Sequence, residues 1–378
     1  GSFGLSPKGR QLRNALIGVQ YVASFGLIIG ATFMYLQNYY MQNTPLGYDK
    51  DEIIITNMNN NIRKSRDAFA SQVKSFSGIE EVTYAEMLLS SQDQYMGWGR
   101  KYRDKDIQFQ CLPVEPSFLK VMNVKISEGR DFREEDKAKR YGTFVFNERA
   151  RTEYGLEIGS LIDSMEIVGF MPDVKFASFR TEVTPMAFFV WGTNNWGNQP
   201  NYAYIKVKAG SDLRGAMQHV KTTLQSFDPE YPFNVRFFDE VLNGLYEKER
   251  SLSSLITLFS LIAIFISVVG VFGLVVFDSE YRKKEIGIRK VLGSTTEEII
   301  VMFNKTYIRI LCVCFVLGAP IAGYVVHRWL ENFAYKTPMY WWVYLIAFAI
   351  IAVITILTVT FQNWRAANEN PVHSIKNE

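Results

Sequence analysis

Residues 251–277 read SLSSLITLFSLIAIFISVVGVFGLVVF, and after Asp278-Ser-Glu280 the chain continues as Tyr281-Arg-Lys-Lys-Glu-Ile-Gly-Ile-Arg-Lys-Val-Leu-Gly293. The first segment holds 27 residues without a charge, more than the ~18 that license a membrane-spanning helix. The second carries five basic residues in the ten positions 281–290, a density that marks the cytoplasmic side of a span. Three further runs have the same character. Residues 15–36 and 341–361 are uncharged, and 307–326 holds only Arg309 near its start, where a long side chain snorkels to the interface. Soluble helices average about 11–12 residues, so four such runs read as four transmembrane helices.

Charge fixes the orientation. Lys8, Arg10 and Arg13 precede the first span, so the tail 1–14 and the loop 278–306 are both expected in the cytoplasm. Residues 37–250 and 327–340 then lie outside, and the tail 362–378 returns to the cytoplasm. The expected fold class is an α-helical membrane protein with four transmembrane helices plus a large α+β extracytoplasmic domain.

Within 37–250, strands are expected at 52–56, 81–89, 107–112, 143–147, 166–170, 186–191, 202–207 and 235–238. Helices are expected at 63–75, 116–122, 148–154 and 213–227. The order strand, helix, strand at 201–238 mirrors the opening of the domain, so the two ends should close one layered subdomain with the middle inserted as another.

Composition excludes several functions. Forty-one Lys and Arg against 38 Asp and Glu leave a net charge of +3, no general footprint for nucleic acid. No Gly-x-x-x-x-Gly-Lys-Ser/Thr run is present to cradle ATP, and no Gly-x-Ser-x-Gly elbow. The three histidines, His219, His327 and His373, are scattered, and Cys111 is the one cysteine outside the spans, so neither a metal site, a cofactor nor a disulfide is expected. A transporter driven by an ion gradient would need ionisable groups deep in the spans, and Arg309 is the only charge in any of them. The reading is a non-catalytic membrane subunit.

What remains is mechanical. Residues 281–292 form a basic helical segment stopped by Gly293, and Ser294-Thr-Thr-Glu297 reads as a capping box opening a helix that runs into the third span. Such a segment is either a lever for a partner protein or a plain positive loop at lipid headgroups. In the first span, Gly18, Gly26 and Gly30 mark a small-residue face, suited to pairing bundles or to packing within one. Gln20 in the same span needs a hydrogen-bond partner across a helix interface. Outside, Trp191 and Trp196 sit in a loop rich in Gly and Asn, either as recognition anchors or as a tucked structural loop. Trp341 and Trp342 fit an interfacial aromatic belt.

The run 281–293 followed by Ser294-Thr-Thr-Glu-Glu-Ile299 resembles the signature of FtsX-like, MacB-type ABC transporter permeases. Asn370-Pro-Val-His-Ser-Ile375 resembles the family's ending, and Gln11-Leu-Arg-Asn-Ala-Leu-Ile-Gly-Val-Gln20 with Leu46-Gly-Tyr-Asp49 its beginning. Val114-Glu-Pro-Ser-Phe-Leu-Lys-Val-Met122, Glu128-Gly-Arg-Asp-Phe132 and Val168-Gly-Phe-Met-Pro-Asp173 resemble its periplasmic core. The resemblance implies a type VII architecture in the bacterial inner membrane, with Porter and Sabre subdomains outside. It implies that Glu285, Ile286, Gly287, Arg289, Lys290 and Gly293 form a coupling helix docking on a cytoplasmic ABC ATPase dimer. MacB carries that ATPase fused; for this chain a separate subunit is expected to supply it. A second permease unit is also expected, as another copy or as the other half of a longer polypeptide whose C-terminal half this chain would be. The implied cargo is a lipoprotein, peptide or drug, with a periplasmic adaptor or outer-membrane factor as outer partner. In the alternative, the same machine is a signalling subunit that activates a periplasmic cell-wall hydrolase.

Overall fold

The computed structural model describes residues 7–281, 288, 289 and 291–368. They divide into two units, one from Gly1–Gln42, Glu249–Asn332 and Lys336–Glu378, the other from Asn43–Lys248 with Phe333–Tyr335.

The first unit is helical. Its long helices are α1 (Pro7–Asn43), α8 (Glu247–Tyr281), α9 (Thr296–Leu330) and α10 (Trp342–Asn368). Each contains a stretch long and apolar enough to cross a membrane. At 1.5 Å per residue the 37 residues of α1 reach roughly 55 Å, well beyond a ~30 Å hydrocarbon core. Phe25 is fully buried, with its ring edge-on to Phe315 at 5.3 Å and stacked on Phe348 at 6.3 Å. Gly318 lets α9 approach the backbone of Val22, and the Tyr21 hydroxyl pairs with Thr355 Oγ1 at 3.0 Å. Close helix contact through small residues and interhelical hydrogen bonds is what drives association where no water is displaced.

The second unit is α+β. Its elements are β1 (Ile53–Asn57), α2 (Asn60–Lys64), α3 (Arg66–Lys74), β2 (Ile79–Ala85), β3 (Gly97–Tyr102), β4 (Lys105–Val114), α4 (Phe118–Val121), β5 (Glu128–Gly129), β6 (Thr143–Asn147), α5 (Glu148–Tyr154), β7 (Leu161–Ile162), β8 (Met165–Met171), β9 (Met186–Val190), β10 (Tyr202–Val207), α6 (Leu213–Phe227), β11 (Arg236–Phe237) and α7 (Phe238–Gly244). The strands form one sheet in the order β11-β1-β10-β2-β4-β9-β6-β8-β5, with β3 on β4 and β7 on β8.

The sheet has two halves. In β11-β1-β10-β2, the antiparallel pairs β1/β10 and β10/β2 bring the two ends of the domain together, as the repeated strand, helix, strand order predicts. Helices α3 and α6 cover this half over buried Ile54, Phe69, Val73, Val220 and Leu224. Asp212 caps α6 by accepting from Gly215 N at 3.0 Å, and Ala216, Val220, Thr223 and Leu224 recur on its buried face at helical spacing. The other half has its own core, with Trp98, Phe109, Phe144, Phe146, Phe170 and Phe189 buried together. Each such side chain contributes about 1.5–3 kcal/mol on burial.

The seam between halves is thin. β2 meets β4 at the single register pair Ala85↔Val114. An aromatic row spans it instead: Phe118 packs edge-on to Tyr204 at 5.2 Å and against Phe188 at 5.8 Å, and Phe188 meets Phe176 at 5.7 Å. The Tyr204 hydroxyl donates to Met87 O and accepts from Leu89 N.

Several expected elements move. The helix expected at 63–75 begins at Asn60, because Asn59 Oδ1 accepts from Ile62 N, and it breaks at Ser65. The strand expected at 81–89 runs from Ile79 to Ala85. β3 was not expected, since Gly-Trp-Gly-Arg-Lys-Tyr has poor strand propensity. Its pairing with β4 closes through Arg103 and Asp104, at φ 47° and 67°, a two-residue hairpin turn made without the usual Asn-Gly.

Candidate coupling site and outer-domain surfaces

Of the residues expected to dock an ATPase, Glu285, Ile286, Gly287 and Lys290 lie outside the described residues, while Arg289 and Gly293 are described. Ile288, Arg289 and Val291 are helical. Leu292 N bonds to Ile288 O at 2.9 Å and Ser294 N to Arg289 O at 2.8 Å, closing the turn over Gly293 at φ +96°. That is the left-handed helix stop that glycine adopts without penalty. A Cβ at Gly293 would meet nothing within 4 Å, so torsion and not packing selects the glycine.

The capping box stands one residue later than Ser294…Glu297. Thr295 Oγ1 accepts from Glu298 N at 3.2 Å, and Glu298 accepts from Thr295 N at 3.1 Å. The physical reason is that Ser294 is spent closing the preceding turn, so the first extended residue free to cap is Thr295. From there α9 runs without interruption to Leu330. Ile288, Val291 and Leu292 are 61%, 75% and 79% exposed. An apolar tip beside a basic run has the chemistry of a contact surface.

The small-residue face of α1 is divided. A Cβ on Gly18 would lie 3.8 Å from Cys314 Sγ, so this glycine faces α9 within the bundle, whereas Gly26 and Gly30 have nothing within 4 Å. Gln20 Oε1 lies against Gly270, where a Cβ would come within 2.4 Å, and has no hydrogen-bond partner among the described residues. One turn on, Ser24 Oγ bonds to Gln20 O at 2.8 Å and pairs with Ser267 Oγ at 2.8 Å. Ser24, Ser267 and Gly270 were not singled out from the sequence; the available signal was small and hydroxyl residues clustered in two apolar runs.

In the outer domain, the indole N–H of Trp191 donates to Asn198 O at 2.6 Å, with the Arg66 guanidinium 4.7 Å above its ring. Trp196 donates to Glu86 Oε2 at 2.6 Å and packs on Trp98 and Phe189 at 6.0 and 5.8 Å. Asn198 Nδ2 reaches the other oxygen of Glu86 at 2.8 Å. The Trp191 donor is thus spent inside the loop and the Trp196 donor on Glu86 beyond it, which is the tucked arrangement.

Two features of this domain were missed. Arg130 holds Asp136 through two bonds of 2.8 and 2.9 Å, and Arg133 N adds a third at 2.8 Å. Burial raises the Asp136 carboxyl, yet the Arg130 and Arg133 bonds outweigh it and hold the group below its ordinary range. The neighbouring Asp131 lacks such a partner, and burial pushes it up to about 6 despite the bond from Phe132 N. The second feature is Phe333–Tyr335. Tyr335 N donates to Phe179 O at 3.0 Å, its hydroxyl accepts from Val183 N at 3.2 Å, and Lys175 Nζ lies 4.2 Å over its ring. Phe333 is buried.

Two family models match the chain. The MacB-like periplasmic core domain matches residues 17–223, and the FtsX-like permease C-terminal family matches 257–371. The Macrolide export ATP-binding/permease protein MacB of Chromobacterium violaceum is 23% identical over 230 residues, covering 58% of this chain and 35% of that protein. MacB of Escherichia coli K12 is 23% identical over 233 residues with the same coverage. The chain thus spans about a third of the length of these curated relatives. The crystal structure of the periplasmic region of MacB from Actinobacillus actinomycetemcomitans covers 53% of this chain and 95% of its own, at 16% identity and a TM-score of 0.38. The periplasmic-core match alone takes in more than half of the 378 residues, and with the C-terminal match it makes this chain a multi-pass membrane protein of the FtsX-like permease family with a MacB-like extracytoplasmic core domain.

Proposed function

We propose that this chain is the permease unit of an ATP-driven ABC complex in a bacterial inner membrane, acting on a lipoprotein, peptide or drug outside that membrane. An ABC ATPase on the cytoplasmic side supplies the energy, and a second permease unit completes the bundle. The observation that carries the reading is the joint at 293–295. A helical turn bearing Arg289 and exposed Ile288, Val291 and Leu292 ends at a left-handed glycine, and the next residue but one caps a 35-residue helix containing the third span. Force applied to the turn passes through a joint of two residues into a rigid rod. Family membership supports the ATPase as the source of that force, because MacB-type permeases work with one.

The test is co-purification from membranes with an ATPase assay on the bound fraction. Arg289→Glu and Gly287→Trp are expected to lose the ATPase or its coupling with the melting temperature unchanged. Full coupling in both variants defeats the assignment. Recovery of a soluble cell-wall hydrolase with the complex redirects it to signalling.

A further inference from the structure

We infer that the outer face of the β3–β4 hairpin is a binding groove for an extended, uncharged stretch of polypeptide. Such a groove goes beyond the permease reading and does not need it.

Gly97 and Gly99 alternate along β3 and face the same side as their register partners Gln110 and Gln108. Glycine weakens a strand, and its usual justifications are absent at both positions. Neither has a positive φ, and a Cβ on either would meet nothing within 4 Å. A strand glycine with neither excuse marks a place where a ligand or another backbone comes close. The space in front of them is a groove of about 590 Å³, walled by Gln94, Gln108, Gln110, Tyr154 and Thr184.

The walls are built to offer neutral hydrogen bonds. Gln110 is fixed at both ends, accepting from Tyr95 N at 2.8 Å and donating to Thr184 Oγ1 at 2.7 Å. Tyr154 is fixed by donating to Gln108 O at 2.6 Å. The side-chain amides of Gln94 and Gln108 are exposed and have no hydrogen-bond partner among the described residues. Among the described residues no charged side chain lines the groove, and the Arg100 guanidinium at its edge is paired with Asp163 at 2.9 Å, so the complement of the groove is uncharged.

The strand supplies the rest. Among the described residues β3 is paired on one edge only, by β4. Gln110 N bonds to Pro185 O and Gln108 O takes the Tyr154 hydroxyl, both on the far edge of β4. The pairs 97/110 and 99/108 are therefore the non-bonded pairs of the ladder, so the N–H and C=O of Gly97 and the N–H of Gly99 point to the open edge, where Gly99 O accepts from Arg100 Nη1 at 2.9 Å. A polypeptide main chain matches that edge by strand addition, and its side chains would lie over the glycine floor.

The experiment uses the full chain in lipid nanodiscs without ATP. The probe is an acetylated, amidated nonapeptide of Ser, Thr and Asn, titrated by calorimetry. Saturable binding is expected, weakened at least tenfold by Gly97→Val with Gly99→Val and several-fold by Gln108→Ala. The glycine variant is expected to melt at the same or a higher temperature, since valine favours a strand. No saturable binding to the unaltered chain, or equal binding to the valine variant, overturns the proposal. Binding of a neutral oligosaccharide such as chitotetraose that the peptide cannot displace overturns the ligand class. ATPase coupling is not read, so failure of the permease reading and failure of the groove are separate results.

Discussion

Gly293 and Asp131 each have a consequence that a single substitution exposes. At Gly293 the backbone sits at φ +96° with open space around it, so the penalty for a side chain is torsional. We expect Gly293→Asn, Gly293→Ala and Gly293→Val to lose stability in that order, the last by about 1–2 kcal/mol or more, because Asn tolerates the left-handed region and a β-branched residue does not. A ranking by side-chain volume alone in thermal melts would contradict this. Asp131 makes a prediction about pH. Its folded value is about 6 against an ordinary 3.8, so the folded state keeps a proton that the unfolded chain has released. The stability it contributes is complete below about pH 4 and is lost as pH rises through about 6. Asp131→Asn should therefore match the parent near pH 3 and melt higher at pH 7.5, while keeping an oxygen for Phe132 N. Asp136 works in the opposite direction and lower window: its carboxyl is depressed, so its contribution is present at neutral pH and fades on acidification below about 4.

At the scale of elements, the loop between β9 and β10 is held by one carboxylate. Glu86 accepts from Trp196 and Asn198, and Asn201 Nδ2 adds a bond to Glu86 O at 3.1 Å. Replacing Glu86 with Ala leaves the indole N–H without its acceptor, a loss of about 1–3 kcal/mol if it stays buried. Hydrogen exchange should quicken across 193–201 and stay unchanged in β9 and β10, which are secured by their neighbours in the sheet. Unchanged protection of the loop would mean that the packing of Trp196 on Trp98 and Phe189, and not the carboxylate, holds it. The same scale explains why β3 escaped notice. Strand propensity reads Gly97 and Gly99 as breakers, yet the register with β4 supplies the ladder that propensity does not.

Across the whole molecule, the informative contacts join residues far apart in the chain. Phe333–Tyr335 belong by sequence to the connection between α9 and α10, and by contact to the outer unit. Tyr335→Ala removes a ring from Lys175 and Phe179 and a hydroxyl from Val183 N, whereas Tyr335→Phe removes the hydroxyl alone. We expect exchange of 178–184 to rise about tenfold in the first and less in the second, tenfold corresponding to about 1.4 kcal/mol; equal protection in both would make the tyrosine a bystander. The amino-acid sequence by itself determined the four long apolar helices, the glycine that stops the turn before the third of them and the closure of the outer domain by two strand, helix, strand repeats. Those are matters of local charge, run length and periodicity, legible within a few turns of chain. Only the tertiary structure decided that Gly18 faces Cys314 while Gly26 and Gly30 are open, that Gln20 lies on Gly270, and that the loop of Trp191 and Trp196 is tucked. Each of those depends on a partner far along the chain, like Tyr21 on Thr355 some 334 residues away, and no local pattern encodes which of many apolar faces will meet.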